Sequence, residues 1–258
     1  MIEGLAGYTG FVGGNLFKKG NFNYLFNSKN IENLPNFSID NLYFCAVGAE
    51  KWRINKEPKK DLEQINQQLN LLRKSKFERL ILISTIDVYS RRDGINELCE
   101  ETHYMNDISY GGNRRYFEKI LLDEFKDVKI IRLPALFGDG LKKNIIFDLL
   151  QENMLKNINL NSTFQWYFLG NLFDDIAKVI SLYPDQKVFN FFTEPIESID
   201  IVERFFFDYI DICVGTVTNH YNIQTKFSPI PGNIYFSTKD EVLSDLSYWL
   251  RDFSIAPK

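Results

Sequence analysis

Three glycines near the start of the chain, Gly7, Gly10 and Gly13, constrain its fold more than any other feature. They follow a short apolar stretch, Ile2–Ala6, and precede Gly14-Asn15-Leu16-Phe17-Lys18-Lys19, a helical segment that Gly20 ends. Between a strand and a helix, such a loop turns tightly at Gly7, lets a pyrophosphate approach at Gly10, and brings helix against strand at Gly13. The helix N-terminus then offers amide donors to the phosphates. The spacing predicts a dinucleotide cradle built from Gly7, Thr9, Gly10, Phe11, Val12 and Gly13. Taken alone, a ligand-free glycine turn would read the same.

The rest of the chain supports the cradle. Phe22–Phe26 and Asn41–Val47 read as strands, Asp61–Lys74 as a helix with Leu62, Ile65, Leu69 and Leu72 in period, and Leu80–Thr85 as a strand buried on both faces. A helix over Tyr110–Phe125 and a strand over Val128–Leu133 follow. This alternation predicts an α/β fold, a doubly wound parallel Rossmann sheet, with a small interleaved C-terminal substrate lobe. Beyond Pro134 the rhythm changes: Leu141–Leu155 reads as helical, Phe164–Leu169 as extended, Asp174–Leu182 as helix, Val188–Phe192 as a returning strand, and 239–253 as an amphipathic helix. The expected core is 1–140 with about 172–205, and the lobe about 141–171 with 206–258, all within one NAD(P)-binding domain. Cys45, Ala46, Val47, Leu133 and Pro134, at strand carboxyl ends, are expected to border the cofactor.

At the end of the second strand, Phe26-Asn27-Ser28-Lys29-Asn30 has no acid until Glu32. A ribose-binding carboxylate is usual there for NAD. Asn27, Ser28 and Lys29 suit a 2′-phosphate instead, which favours NADP(H) and leaves NAD(H) as the alternative; Lys29 could also be a solvated loop lysine.

Charge and cysteine usage exclude several classes. A net charge of −4 over 258 residues gives no basic face for nucleic acid. No apolar run is long enough for a membrane span, and the N-terminus lacks signal-peptide character. The three cysteines, Cys45, Cys99 and Cys213, read as reduced thiols of a cytoplasmic protein, and His103 and His220 have no metal-ligand spacing.

Chemistry is expected where Leu80–Thr85 ends. Thr85 lies 25 positions before Tyr110, and Tyr110 and Arg114 stand one helical turn apart on one face. A tyrosine needs a nearby cation to exchange protons near neutral pH. Gly7-x-x-Gly10-x-x-Gly13, Ser84-Thr85-x-Asp87-Val88-Tyr89, Tyr110-Gly111-x-x-Arg114-x-x-x-Glu118 and Arg132-Leu133-Pro134-x-Leu136-Phe137-Gly138 together resemble the extended short-chain dehydrogenase/reductases, the NAD(P)-dependent epimerase/dehydratase family acting on nucleotide sugars. Asp174-Asp175-Ile176-Ala177 and Glu194-Pro195-Ile196 extend the likeness to about residue 200.

The resemblance implies that Thr85 hydrogen-bonds the substrate oxygen and that Tyr110 exchanges the proton. Arg114 falls where the family has lysine, and would supply the cation and a ribose contact. It implies a nucleotide sugar as partner, with Asp87, Ala135, Gln165 and Trp166 on the substrate side, although Ala135 stands where the family often has Asn. Phe164–Phe168 could stack a base or sugar, or pack inside the lobe. Glu97, Glu100 and Glu101 read either as acid/base groups or as a solvated acidic face. A homodimer is implied through the helices about 61–75 and 110–125, whose Leu69, Leu72, Phe117 and Leu121 would form a seam or face the sheet. The expected activity is a reductase or epimerase, a dehydratase being less favoured because Ile86 follows Thr85. The alternative is a faded, cofactor-binding regulatory or scaffold protein.

Overall fold

The structure, a computed structural model, describes residues 1–255, so positions 256–258 of the expected lobe lie outside the described residues. The elements in the first half are β1 (Glu3–Ala6), α1 (Phe11–Lys19), β2 (Tyr24–Phe26), β3 (Ser38–Phe44), α2 (Lys51–Ile54), α3 (Pro58–Lys74), β4 (Lys76–Thr85), α4 (Tyr110–Glu124) and β5 (Val128–Leu133). Then come β6 (Ala135–Phe137), α5 (Ile145–Leu150), β7 (Thr163–Phe164), β8 (Trp166–Phe168), α6 (Leu172–Leu182), β9 (Val188–Asn190), β10 (Ile196–Glu197), α7 (Ser198–Phe205) and α8 (Lys239–Ile255). The chain divides into two compact units. The first is Met1–Arg91, Cys99–Leu133 and Leu172–Phe189; the second is Arg92–Leu98, Pro134–Asn171 and Asn190 onward.

In the first unit the sheet runs β2-β1-β3-β4-β5-β9, with β2–β1, β1–β3, β3–β4 and β4–β5 all parallel. Strand order reverses at β1, so a crevice opens at the carboxyl ends of β1 and β3, where ligands of such sheets bind. Leu42, Phe44, Leu80, Leu82 and Ile130 of the strands share one core with Ile65, Leu69 and Leu72 of α3 and Phe117 and Leu121 of α4. Leu69, Leu72, Phe117 and Leu121, the four residues considered for a dimer seam, therefore pack into this core.

In α3 the buried stripe is Asp61, Ile65, Leu69 and Leu72. Its first member is a carboxylate, and burying one requires a counter-charge. In α4 the buried face carries Tyr110, Arg114, Phe117, Glu118 and Leu121. Ser109 caps this helix, its Oγ accepting the Gly112 N–H at 3.2 Å. At Gly111 a Cβ would lie 2.0 Å from the Asp87 carbonyl oxygen, so only glycine lets α4 start this close to the end of β4.

The second unit holds the pairs β6–β8, parallel, and β7–β10, antiparallel. The expected strand 164–169 is divided at Gln165 into these two partnerships. The helix expected over 141–155 is reduced to α5. Asn144, with φ of 111°, caps its start through Phe147, and the positive φ of Glu152 and Met154 breaks the continuation. Helix α7 was not anticipated, although Glu197 and Asp200 form its capping box. Among the described residues no helix is long and apolar enough to cross a membrane.

Candidate active site

The glycine loop lies at the crevice. The Gly7 N–H donates to the Phe26 carbonyl, and the Cys45 N–H donates to the Ala6 carbonyl, so the loop joins three strand ends. Gly7 has φ of +88°, and a Cβ there would meet the Cys45 carbonyl carbon at 2.6 Å; one at Gly13 would meet the Gly7 oxygen at 2.2 Å. Both glycines are therefore required by the protein itself. Gly10 differs, because a Cβ there would find only the Gly7 oxygen within 4 Å, at 3.3 Å. Thr9 and Gly10 are exposed, and Phe11 and Val12 are half-buried. No side chain caps α1, and no acid occupies its first turn. An uncapped helix start beside an open glycine is the donor set a pyrophosphate fits.

At the end of β2, Asn27 donates from Nδ2 to the Tyr8 hydroxyl at 3.0 Å and accepts the Lys29 N–H at 2.9 Å. It holds the glycine loop and the β2 turn together. Ser28 and Lys29 are exposed beside it. Cys45, Ala46 and Val47 are half-buried at the end of β3, where burial pushes the Cys45 thiol well above its ordinary range.

The second cluster forms where β4 meets α4. Thr85 Oγ1 accepts the Asp87 N–H at 3.2 Å, and Thr85 lies near enough to Tyr110 to act on its phenol. Tyr110 is 8% exposed, and Asn55 Oδ1 accepts its N–H at 2.9 Å. Arg114 stacks over the Tyr110 ring, 4.8 Å from its centroid. Its fork is held by Asp61: Nη1 donates to Oδ2 at 2.9 Å and Nη2 to Oδ1 at 3.0 Å, and Nη2 also donates to the Gly48 carbonyl. Asn113 Nδ2 joins the same carboxylate at 2.8 Å.

These contacts change the electrostatics expected from the Tyr–Arg spacing. Burial raises the Tyr110 pKa, while Arg114 and Thr85 pull it down and Asp87 and Asp61 push it up. The net direction is upward, burial being the largest cause, with Asp87 and then Asp61 adding to it against the arginine's field. Asp87 in turn pairs with Lys51, Nζ to Oδ1, at 2.5 Å. Asp61, Lys51 and Gly48 were missed in the sequence. The available signal for Asp61 was its register, one turn before Ile65 on the buried stripe; Lys51 and Gly48 gave none.

Leu133, expected beside the cofactor, pairs with Thr85 across β5 and β4. Leu133 is buried at the end of β5, and Pro134 is buried beyond it. Ala135 pairs with Trp166 across β6 and β8. Gln165 is 1% exposed: its Nε2 donates to the Thr193 and Ile223 carbonyls at 2.6 and 2.8 Å, and its Oε1 accepts the Ile223 N–H at 2.9 Å. It thus braces the second unit's own backbone. Trp166 is 2% exposed, with no hydrogen-bond partner for Nε1. Phe164 packs against Trp166 and stacks on Tyr221. Of the three acidic residues read as a group, Glu97 is buried and accepts from Asn190, Thr225 and Lys226, whereas Glu101 pairs with Arg115 and Lys119. Glu97 is therefore no part of a solvated acidic face, while Glu100 and Glu101 are exposed.

No protein-family model and no curated protein matches the sequence. Solved structures do. The dTDP-4-dehydrorhamnose reductase of Bacillus anthracis in complex with NADP superposes with a TM-score of 0.73 at 15% identity, over 98% of this chain and 99% of that one. The fold is that of the extended short-chain dehydrogenase/reductases. The Helicobacter pylori ADP-L-glycero-D-manno-heptose-6-epimerase gives a TM-score of 0.68 at 13% identity, over 99% and 97% of the two chains. A protein named MoeE5, in complex with UDP-glucose and NAD, gives 0.68 at 14% identity, over 99% of this chain and 100% of that one. At these identities the short-chain dehydrogenase/reductase likeness speaks for the fold, and function rests on the chain's own residues.

Proposed function

We propose that the chain is an NADP(H)-dependent reductase or epimerase acting on a nucleotide sugar, with NAD(H) as the alternative cofactor. The observation that carries this reading is the start of α4 packed against the carboxyl end of β4, which brings Tyr110 beside Thr85 and Asp87, in the same unit as an exposed glycine loop at the β1–β3 crevice. Two of the proteins sharing the fold are named for nucleotide sugars, one of them in complex with NADP, and the third is in complex with UDP-glucose and NAD. When bound, the nicotinamide would supply or accept the hydride. Gly10 and the α1 amides would hold the pyrophosphate, and Ser28 and Lys29 the 2′-phosphate.

The chain's own residues handle the proton. In reduction, Tyr110 Oη releases its proton to the keto oxygen as that oxygen becomes a hydroxyl, and Thr85 steadies the phenolate left behind. In oxidation the same proton travels back. The second unit is assigned as the substrate lobe, and self-association is part of the proposal. The test is NADPH binding by fluorescence, followed by turnover of 4-keto nucleotide sugars by wild type and Tyr110→Phe. Turnover lost in the variant with NADPH binding retained is the expected result; an unchanged rate would remove Tyr110 from the mechanism.

A second reading, a cofactor-binding protein without turnover, is favoured by one observation: Arg114 is held by Asp61 and the Tyr110 phenol is raised. NADPH binding with no turnover of any 4-keto sugar would support it.

A further inference from the structure

Two cations approach the Tyr110 cluster. Arg114 lies over the ring, but its fork is closed by Asp61 and Gly48. Lys51, the first residue of α2, reaches Asp87 Oδ1 at 2.5 Å with its side chain 44% exposed, against 18% for Asp87. The Asp87 backbone is bracketed on both sides: its N–H donates to Thr85 Oγ1, and its carbonyl lies against Gly111 at the start of α4. The carboxylate is therefore held at a set place relative to Thr85 and Tyr110, while Lys51 comes from a separate, more exposed segment.

The charged and polar groups around Tyr110 come from every neighbouring element. Arg114 lies on its own helix, Asp61 on α3, Asp87 on the turn after β4, Thr85 at the end of β4, and Asn55 after α2. Asp61 is matched by Arg114. That leaves Asp87 as the anion whose effect on the phenol depends on another partner, and Lys51 is that partner.

We propose that Lys51, by neutralising Asp87, is the positioning residue that governs proton exchange at Tyr110, an inference that rests on the reading of Tyr110 as the acid/base. When Tyr110 Oη gives its proton to the substrate oxygen, negative charge develops on the phenolate beside Asp87. With Lys51 in place the repulsion is cancelled; without it the phenolate forms against an uncompensated carboxylate.

The experiment follows Tyr110 directly. Chain labelled with ¹³Cζ-tyrosine, without cofactor, is titrated by NMR, the Tyr110 signal being assigned by its absence in Tyr110→Phe. Lys51→Met is expected to move the Tyr110 titration to higher pH, and Lys51→Arg to leave it in place. In an Asp87→Asn background, Lys51→Met should have no further effect. In turnover, Lys51→Met should lower kcat about tenfold at neutral pH with the KM for NADPH unchanged, and shift the alkaline limb of the profile upward. An unmoved Tyr110 titration in Lys51→Met overturns the inference, as does an equal shift with and without Asp87. Because the NMR titration needs neither cofactor nor substrate, absence of turnover in wild type would count against the proposed function alone.

Discussion

Arg114 and Asp61 meet as a buried bidentate pair, the guanidinium 5% and the carboxylate 4% exposed, joining α4 to α3. Replacing one partner strands the other charge in the interior. Asp61→Asn is expected to destabilise the protein by about 3–5 kcal/mol, and Asp61→Leu with Arg114→Met by clearly less than the two single changes summed. Urea unfolding of wild type, Asp61→Leu, Arg114→Met and the double variant measures this coupling. In Asp61→Asn, Arg114 also loses its neutralising partner, so the Tyr110 titration should move to lower pH.

The glycine loop separates binding from folding. At Gly10 an added methyl would press only on the Gly7 oxygen, at 3.3 Å, whereas at Gly13 it would collide with that oxygen at 2.2 Å. Gly10→Val should weaken NADPH binding at least tenfold and lower Tm much less than Gly13→Val does. Calorimetric titration and thermal melts distinguish the two. Lys29→Ala should cost NADPH roughly 1 kcal/mol of affinity and leave NADH binding as it was.

A second buried pair supports the active strand. Glu118 accepts from Arg132 Nη2 at 2.6 Å and Nε at 3.1 Å, and from Ser84 Oγ at 2.6 Å, the residue before Thr85. Arg132 Nη1 also donates to the Tyr89 hydroxyl at 2.5 Å. Glu118→Gln should destabilise by about 3–5 kcal/mol and reduce turnover by loosening β4 against α4. A variant of full stability and full activity would refute this role.

Glu97 predicts a pH dependence. Burial raises its pKa above the ordinary value, against hydrogen bonds from Thr225, Asn190 and Lys226 that lower it. A carboxyl with a raised folded pKa contributes stability below its unfolded pKa, and that contribution is lost as pH rises through the folded pKa. Hydrogen exchange at the Asn190 and Lys226 amides should therefore quicken as pH climbs out of the acid range, after correction for intrinsic rates. Glu97→Ala should remove that trend and destabilise the second unit by about 2–4 kcal/mol, through three donors left unsatisfied.

Periodic and local signals were read correctly where one element fixes them. The α4 start at Tyr110, β5 at Val128–Leu133 and the β1-turn-α1 order follow from apolar period, capping and glycine placement. Those signals weaken in the second unit. There β7 and β8 have two and three residues, Gln165 looks like a ligand-binding amide, and its hydrogen-bond partners lie 28 and 58 positions away. Glu97 misled for the same reason, since residues 98 and 99 fall on opposite sides of the boundary between units.

The sequence by itself determined the α/β alternation, the glycine turn at the first strand and the placing of Tyr110 and Arg114 on one helical face. Each of these depends on residues within a turn or two of one another. The tertiary structure alone decided what Arg114 does. A guanidinium takes the strongest acceptor within reach, and Asp61, 53 positions away in sequence, is brought to it by α3 packing on α4. The same packing of distant segments put Lys51 on Asp87, so the charge around Tyr110 is set by partners that no local pattern contains.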